Sequence, residues 1–216
     1  TWLTTEKHGF WSVLWDLDWD TTGIHGGLND LDCVVNANVL ATLATYGELN
    51  TPGVEAACNF LNTVTLKQKD IETCGIYYPN PYHLHYAASR AVAAGAQCLQ
   101  PARERLLATL RAEQLADGSW PGGLTREPLQ STLYAANAFL LLTDDFGKDK
   151  EVLSKAIGYI RAHAQRSGHQ MSWPGGVFFG GGFLIRDKLI WRSEAYSTSL
   201  ALTAMSKYLK SIEEKK

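Results

Sequence analysis

The pentapeptide Ser-Trp-Pro-Gly-Gly stands twice in this chain, at Ser119 to Gly123 and at Ser172 to Gly176, 53 residues apart. Each copy follows a helix-like stretch, Pro101 to Leu115 or Lys150 to Gln165. Each is succeeded by a more apolar run opening with Ser-Thr, at Ser131-Thr132 and Ser197-Thr198. A period near fifty residues marks a repeated supersecondary unit that cannot bury its apolar face alone and must stack on its neighbours. The unit reads as outer helix, Trp-Gly loop, inner helix. Function then belongs where the units converge.

The helix patterns separate into two kinds. Glu151 to Gln165 carries Val152, Leu153, Ala156, Ile157 and Ile160 on one side, with Glu151 and Lys155 at i,i+4 on the other. Gly168 is placed to end it. Thr51 to Thr63, with Thr51 as N-cap and Pro52 in the first turn, and Pro101 to Leu115, with Leu106, Leu107 and Leu110, are one-sided in the same way. Ser131 to Leu142 is apolar nearly all round, which suits a helix buried on both sides. Val34 to Leu43, Tyr82 to Ala94 and Ser197 to Leu209 resemble it. No stretch keeps strand alternation, so the expected class is all-α, an open solenoid or a closed α/α toroid of alternating inner and outer helices in a single domain over 1–216.

Composition narrows the partners. The chain has 216 residues, 45% of them hydrophobic, and a net charge of −2 without a Lys/Arg block, so a nucleic-acid surface is not expected. No apolar run is long enough for a transmembrane segment. The four cysteines, Cys33, Cys58, Cys74 and Cys98, form no close pair and read as buried thiols, which points to a reducing, cytoplasmic setting.

Gln114-Leu115-Ala116-Asp117-Gly118-Ser119-Trp120 resembles the Q-x-x-D-G-S-W loop of squalene-hopene cyclases and related class II terpene cyclases. In that family the Gln and Trp tie successive helix pairs of an α/α barrel together. Protein prenyltransferase β subunits share versions of the loop. Trp2 then looks like the Trp of an earlier loop, and about three and a half units stand where the family's toroid has about six. A domain lacking N-terminal helices is therefore expected, with an additional domain or upstream helices as its missing neighbours.

Two acidic clusters are candidates for chemistry. Asp16-Leu17-Asp18-Trp19-Asp20-Thr21-Thr22 contains D-x-D-T-T, which resembles the family's D-x-D-D-T acid motif. The resemblance implies that Asp20 protonates a terminal alkene, with Asp18 as its partner and Thr21 as a hydrogen-bond support. Gly23, Gly26 and Gly27 depart from the family, whose motif opens an inner helix. The same residues match the D-x-D-x-T loop of haloacid-dehalogenase phosphatases, which would need a preceding strand, and they also read as a polar loop with Asp caps. The second cluster ends in Asp32, at the start of an inner helix, with Asn36 one turn on. It reads either as an N-cap or as a site pair.

Tyr82, Tyr86 and Arg90 follow at i,i+4 steps and would present two aromatic faces and a cation on one stripe, suited to carbocations and a diphosphate or else to core packing. Trp191 and Arg192 stand at the matching entrance of the last inner helix. His83 and His85 lack the i,i+4 spacing of a helical zinc pair, so no protein-bound metal is expected. The resemblance implies an isoprenoid substrate and, if that substrate is a farnesyl-type diphosphate, Mg²⁺ with its head group. Protonation-initiated cyclisation is the leading expectation. A non-catalytic toroid that binds a hydrophobic ligand or partner protein is the rival, and a prenyltransferase β-like subunit would need a zinc triad that the sequence does not assemble.

Overall fold

The computed structural model describes residues 31–75, 77–180 and 190–213. Asp18, Asp20 and Trp2 lie outside the described residues. Eight α-helices are present among the described residues: α1 (Cys33–Thr45), α2 (Val54–Val64), α3 (Gln68–Thr73), α4 (His83–Ala93), α5 (Gln100–Glu113), α6 (Pro128–Leu142), α7 (Phe146–Ala162) and α8 (Glu194–Glu213). Helices α1, α4, α6 and α8 pack on one another in that order. Outer helices α2, α5 and α7 lie against them: α2 on α1, α5 between α4 and α6, α7 between α6 and α8.

The two apolar patterns become two kinds of burial. Every residue of α6 from Gln130 to Phe139 is buried, because neighbours cover it on both sides. Outer helix α7 buries Leu153, Ala156, Ile157 and Ile160 and exposes its charged face, where Glu151 and Lys155 pair at 2.8 Å. In α5, Leu106, Leu107 and Leu110 point into the core. Outer helices are also tied to one another. Arg111 of α5 grips Asp149 of α7 through two hydrogen bonds of 2.9 and 2.7 Å.

Several boundaries differ from the expectation. Helix α2 starts at Val54, after Gly53 in a left-handed conformation (φ 92°), and Thr51 contributes its carbonyl rather than a side-chain cap. Helix α7 ends at Ala162, and Gly168 instead turns a hairpin. The all-α expectation is corrected to a mostly helical fold with four short strands among the described residues: β1 (Gln165–Ser167), β2 (Gln170–Ser172), β3 (Gly176–Gly180) and β4 (Ile190–Ser193). β1 pairs with β2 and β3 with β4, both antiparallel. Strands of three to five residues are too short to display the alternation that identifies a strand in sequence.

The cysteines depart further. Cys33 bonds Cys74 and Cys58 bonds Cys98, with Cα atoms 5.5 and 5.9 Å apart, so none of the four is a free thiol. The first bridge ties the start of α1 to the end of α3. The second ties α2 to the short helical turn at Gln97–Leu99 that leads into α5. The argument for a reducing compartment, which rested on thiols, no longer holds. Each bridge closes a loop of about forty residues and should contribute about 2–4 kcal/mol, chiefly by restricting the unfolded chain. Urea unfolding with and without reductant is expected to show a lower midpoint when both bridges are open. An unchanged midpoint, with reduction verified by thiol titration, would contradict that assignment.

Candidate functional site

The repeated loop sets where each inner helix begins. The Trp120 N–H donates to Thr132 Oγ1 at 3.1 Å, and its indole N–H donates to the Leu110 carbonyl at 3.0 Å. Trp173 repeats both bonds, to Thr198 Oγ1 at 3.0 Å and to the Ile160 carbonyl at 2.6 Å. Each Trp thus fastens the outer helix before it to the inner helix after it, and the Thr of each Ser-Thr pair is its receptor. Gln114 adds the lateral tie, donating to the carbonyls of Gly118 and of Val152 on the next outer helix. Gly118 has φ 89°, and a Cβ there would stand 2.4 Å from the Lys155 carbonyl oxygen, so the close approach of loop to α7 requires glycine.

Held this way, the inner helices present aromatic rings near their N-terminal ends. His83 of α4 lies 4.0 Å, centroid to centroid, from Tyr134 of α6, and meets Tyr78 edge-on at 4.8 Å. Tyr134 also contacts Tyr86 of α4 and Tyr196 of α8. The β3–β4 hairpin lies over this group. Phe178 packs on Tyr196, while Phe179 meets Tyr77, Tyr78 and Trp191. A hydrogen bond from Gly180 N–H to the Tyr77 carbonyl at 2.8 Å fixes the strand to the loop before α4. Tyr134 is fully buried, whereas Tyr78, Tyr86, Tyr196, Phe178 and Phe179 are half-buried and keep ring surface accessible.

Burial keeps this wall uncharged. It pushes the phenols of Tyr78, Tyr86 and Tyr134 up, and that of Tyr196 up to about 12. It lowers His83 to about 3, so the imidazole is neutral near pH 7, and His83 Nδ1 has no hydrogen-bond partner among the described residues. A neutral, π-rich surface suits hydrocarbon, and its ring faces attract a cation once one forms.

The sequence-named residues divide around this surface. Asp32 is buried and caps α1: one carboxylate oxygen accepts from Val35 N–H at 2.9 Å, the other from Tyr77 N–H at 3.1 Å. Desolvation raises its pKa, against the lowering effect of those two N–H groups. Asn36 is buried too and donates to the Asp32 carbonyl at 2.8 Å. Tyr86 and Arg90 share a stripe as expected, with the guanidinium 5.8 Å over the ring and donating to Asn38 Oδ1 at 3.3 Å.

Tyr82 does not join that stripe. Helix α4 begins one residue later, at His83, and the Tyr82 hydroxyl donates to Glu113 Oε2 at 2.6 Å, toward the outer layer. Trp191 and Arg192 do stand at the entrance of α8, in strand β4, which ends at Ser193 directly before the helix. Trp191 is 44% exposed beside Phe179, and Arg192 pairs with Glu127, whose other oxygen accepts from Val177 N–H.

The sequence pattern does not mark the rings of Tyr78, His83, Tyr134, Tyr196 and Phe178 as site residues. Their shared signal was weak: His83, Tyr134 and Tyr196 each stand within about two turns of an inner-helix start. Among the described residues no group of three or more His, Cys, Asp or Glu is placed to hold a metal ion. None of their helices is long and apolar enough to cross a membrane. No family model, curated protein or solved structure matches the chain.

Proposed function

We propose that this chain is a terpene cyclase-like α/α-repeat domain that holds an isoprenoid against the aromatic ends of its inner helices. The supporting observation is the continuous run of neutral rings from Tyr78 through His83 and Tyr134 to Tyr196 and Phe178, contributed by the loop before α4, by α4, α6 and α8, and by β3. Closure of the helix series into a toroid belongs to the same proposal. Asp20, with Asp18 beside it in the motif, supplies the starting proton to a terminal alkene. The next double bond attacks the resulting tertiary cation, and loss of a carbon-bound proton ends the isomerisation. Aromatic faces lower the cost of the cationic steps.

For a diphosphate substrate, Arg90 is a cation beside the aromatic wall that could meet the head group, whereas Arg192 is engaged by Glu127. Among the described residues no group of three or more His, Cys, Asp or Glu stands ready to hold Mg²⁺ with that head group. The two disulfides favour an oxidising compartment over the cytoplasm.

A second reading, binding of a hydrophobic ligand without turnover, is favoured by one feature. Asp32, a carboxyl beside this surface, has both its oxygens committed to backbone N–H groups. Incubation with isoprenoid diphosphates of increasing length, followed by extraction and mass analysis, separates the readings. A cyclised product is expected. Saturable quenching of intrinsic fluorescence with unchanged substrate would support the binding reading, and neither quenching nor product would reject both.

A further inference from the structure

A recess lies beside the first Trp-Gly loop, and its lining shares no residue with the aromatic wall. Its volume is about 580 Å³, within the range of small-molecule sites. Pro79, Pro81, Pro121 and Leu115 form apolar walls, and the carboxyl-bearing Glu72 and Glu113 line it from two different helices. Among the described residues no Lys, Arg or His lines it and neither carboxylate has a salt-bridge partner, while Gln68 Nε2 donates to Glu72 Oε1 at 3.4 Å. Glu113 is the last residue of the 14-residue helix α5, where the helix dipole is negative and a carboxylate is in its least favourable place. The Tyr82 hydroxyl donates to Glu113 Oε2 at 2.6 Å and fixes that side chain at the recess. Two carboxylates and a helix C-terminus thus act on one partly apolar hollow, with no neutralising cation among the described residues.

We infer that this recess binds a small organic cation, an ammonium or guanidinium group on a short apolar stem, with the charge between Glu72 and Glu113 and the stem against the prolines. A bare metal ion would leave the apolar walls unused, and a neutral hydrocarbon would leave the carboxylates uncompensated. The site is separate from the aromatic wall, so its occupancy does not depend on turnover.

The test is isothermal titration of the intact chain with 1-pentylamine and with butylguanidine, using 1-pentanol as the uncharged control. Saturable binding near one equivalent is expected for both cations and none for the alcohol, with affinity falling as salt rises. Glu72→Gln, at an exposed position, should weaken amine binding about tenfold without altering the unfolding midpoint. Glu113→Gln should do the same or more, and Tyr82→Phe controls for loss of the hydroxyl contact. Absence of amine binding at millimolar concentration, equal binding of pentanol, or affinity unchanged by both glutamate substitutions would overturn the assignment.

Discussion

Trp120→Ala and Trp173→Ala are each expected to destabilise the domain by about 3–5 kcal/mol, the range of large-to-small changes at fully buried aromatic positions. Neither indole has any exposed surface. Each fills the junction of three elements, so the cavity cannot be closed by moving one helix without breaking another contact. The hydrogen bonds make a smaller, separable contribution. Trp→Phe at either position keeps much of the apolar volume but leaves the Leu110 or Ile160 carbonyl without its indole donor, and should cost about 1–3 kcal/mol. Denaturant unfolding of the four variants measures both contributions. Because the two loops use the same bonds, the effects at 120 and 173 should agree within about 1 kcal/mol. Losses below about 1 kcal/mol for both alanine variants would show that the loops do not fasten the repeats.

That symmetry explains how much of the fold could be read without coordinates. Trp, the following Gly pair and the Ser-Thr opening recur because each performs one geometric task in each unit, and a task performed twice leaves a visible period. The inner and outer assignments were legible for a similar reason. All-round burial of α6 and one-sided burial of α7 impose different spacing on apolar residues over fifteen or more positions.

The remainder was hidden where spatial neighbours are distant in sequence or where an element is short. The bridge partners Cys33 and Cys74 are 41 residues apart, and Cys58 and Cys98 are 40 apart, separations with no intrinsic pairing signal. Tyr82 satisfies an i,i+4 pattern with Tyr86, but that pattern requires both residues to be helical, and Tyr82 is the cap. One residue of helix boundary moved its ring from the inner wall to the recess lined by Glu113. The aromatic wall was only partly legible because Phe178 and Phe179 reach it on a hairpin, while Tyr78 reaches it from the loop before α4.

On the proposed cyclase reading, Asp20→Asn is expected to reduce turnover at least ~100-fold while leaving stability and ligand binding nearly unchanged, because an amide keeps the shape but cannot donate the starting proton. Asp32→Asn should behave in the opposite way. As an N-cap alone it would be mild, since Asn caps helices well and its oxygen could still accept from Val35 N–H. The second contact changes that expectation. Where the other Asp32 oxygen now accepts from Tyr77 N–H, the Asn amide would place a donor against a donor in a buried site. A cost of about 1–3 kcal/mol follows, together with loosening of the loop that carries Tyr77 and Tyr78, yet turnover per folded molecule should persist. Product formation and unfolding free energy measured on both variants distinguish the roles. If Asp32→Asn removes turnover at unchanged stability and Asp20→Asn does not, the acid is at the helix entrance and the D-x-D-T-T resemblance is coincidental. If neither variant alters a measurable turnover, both carboxyls are excluded as the proton source.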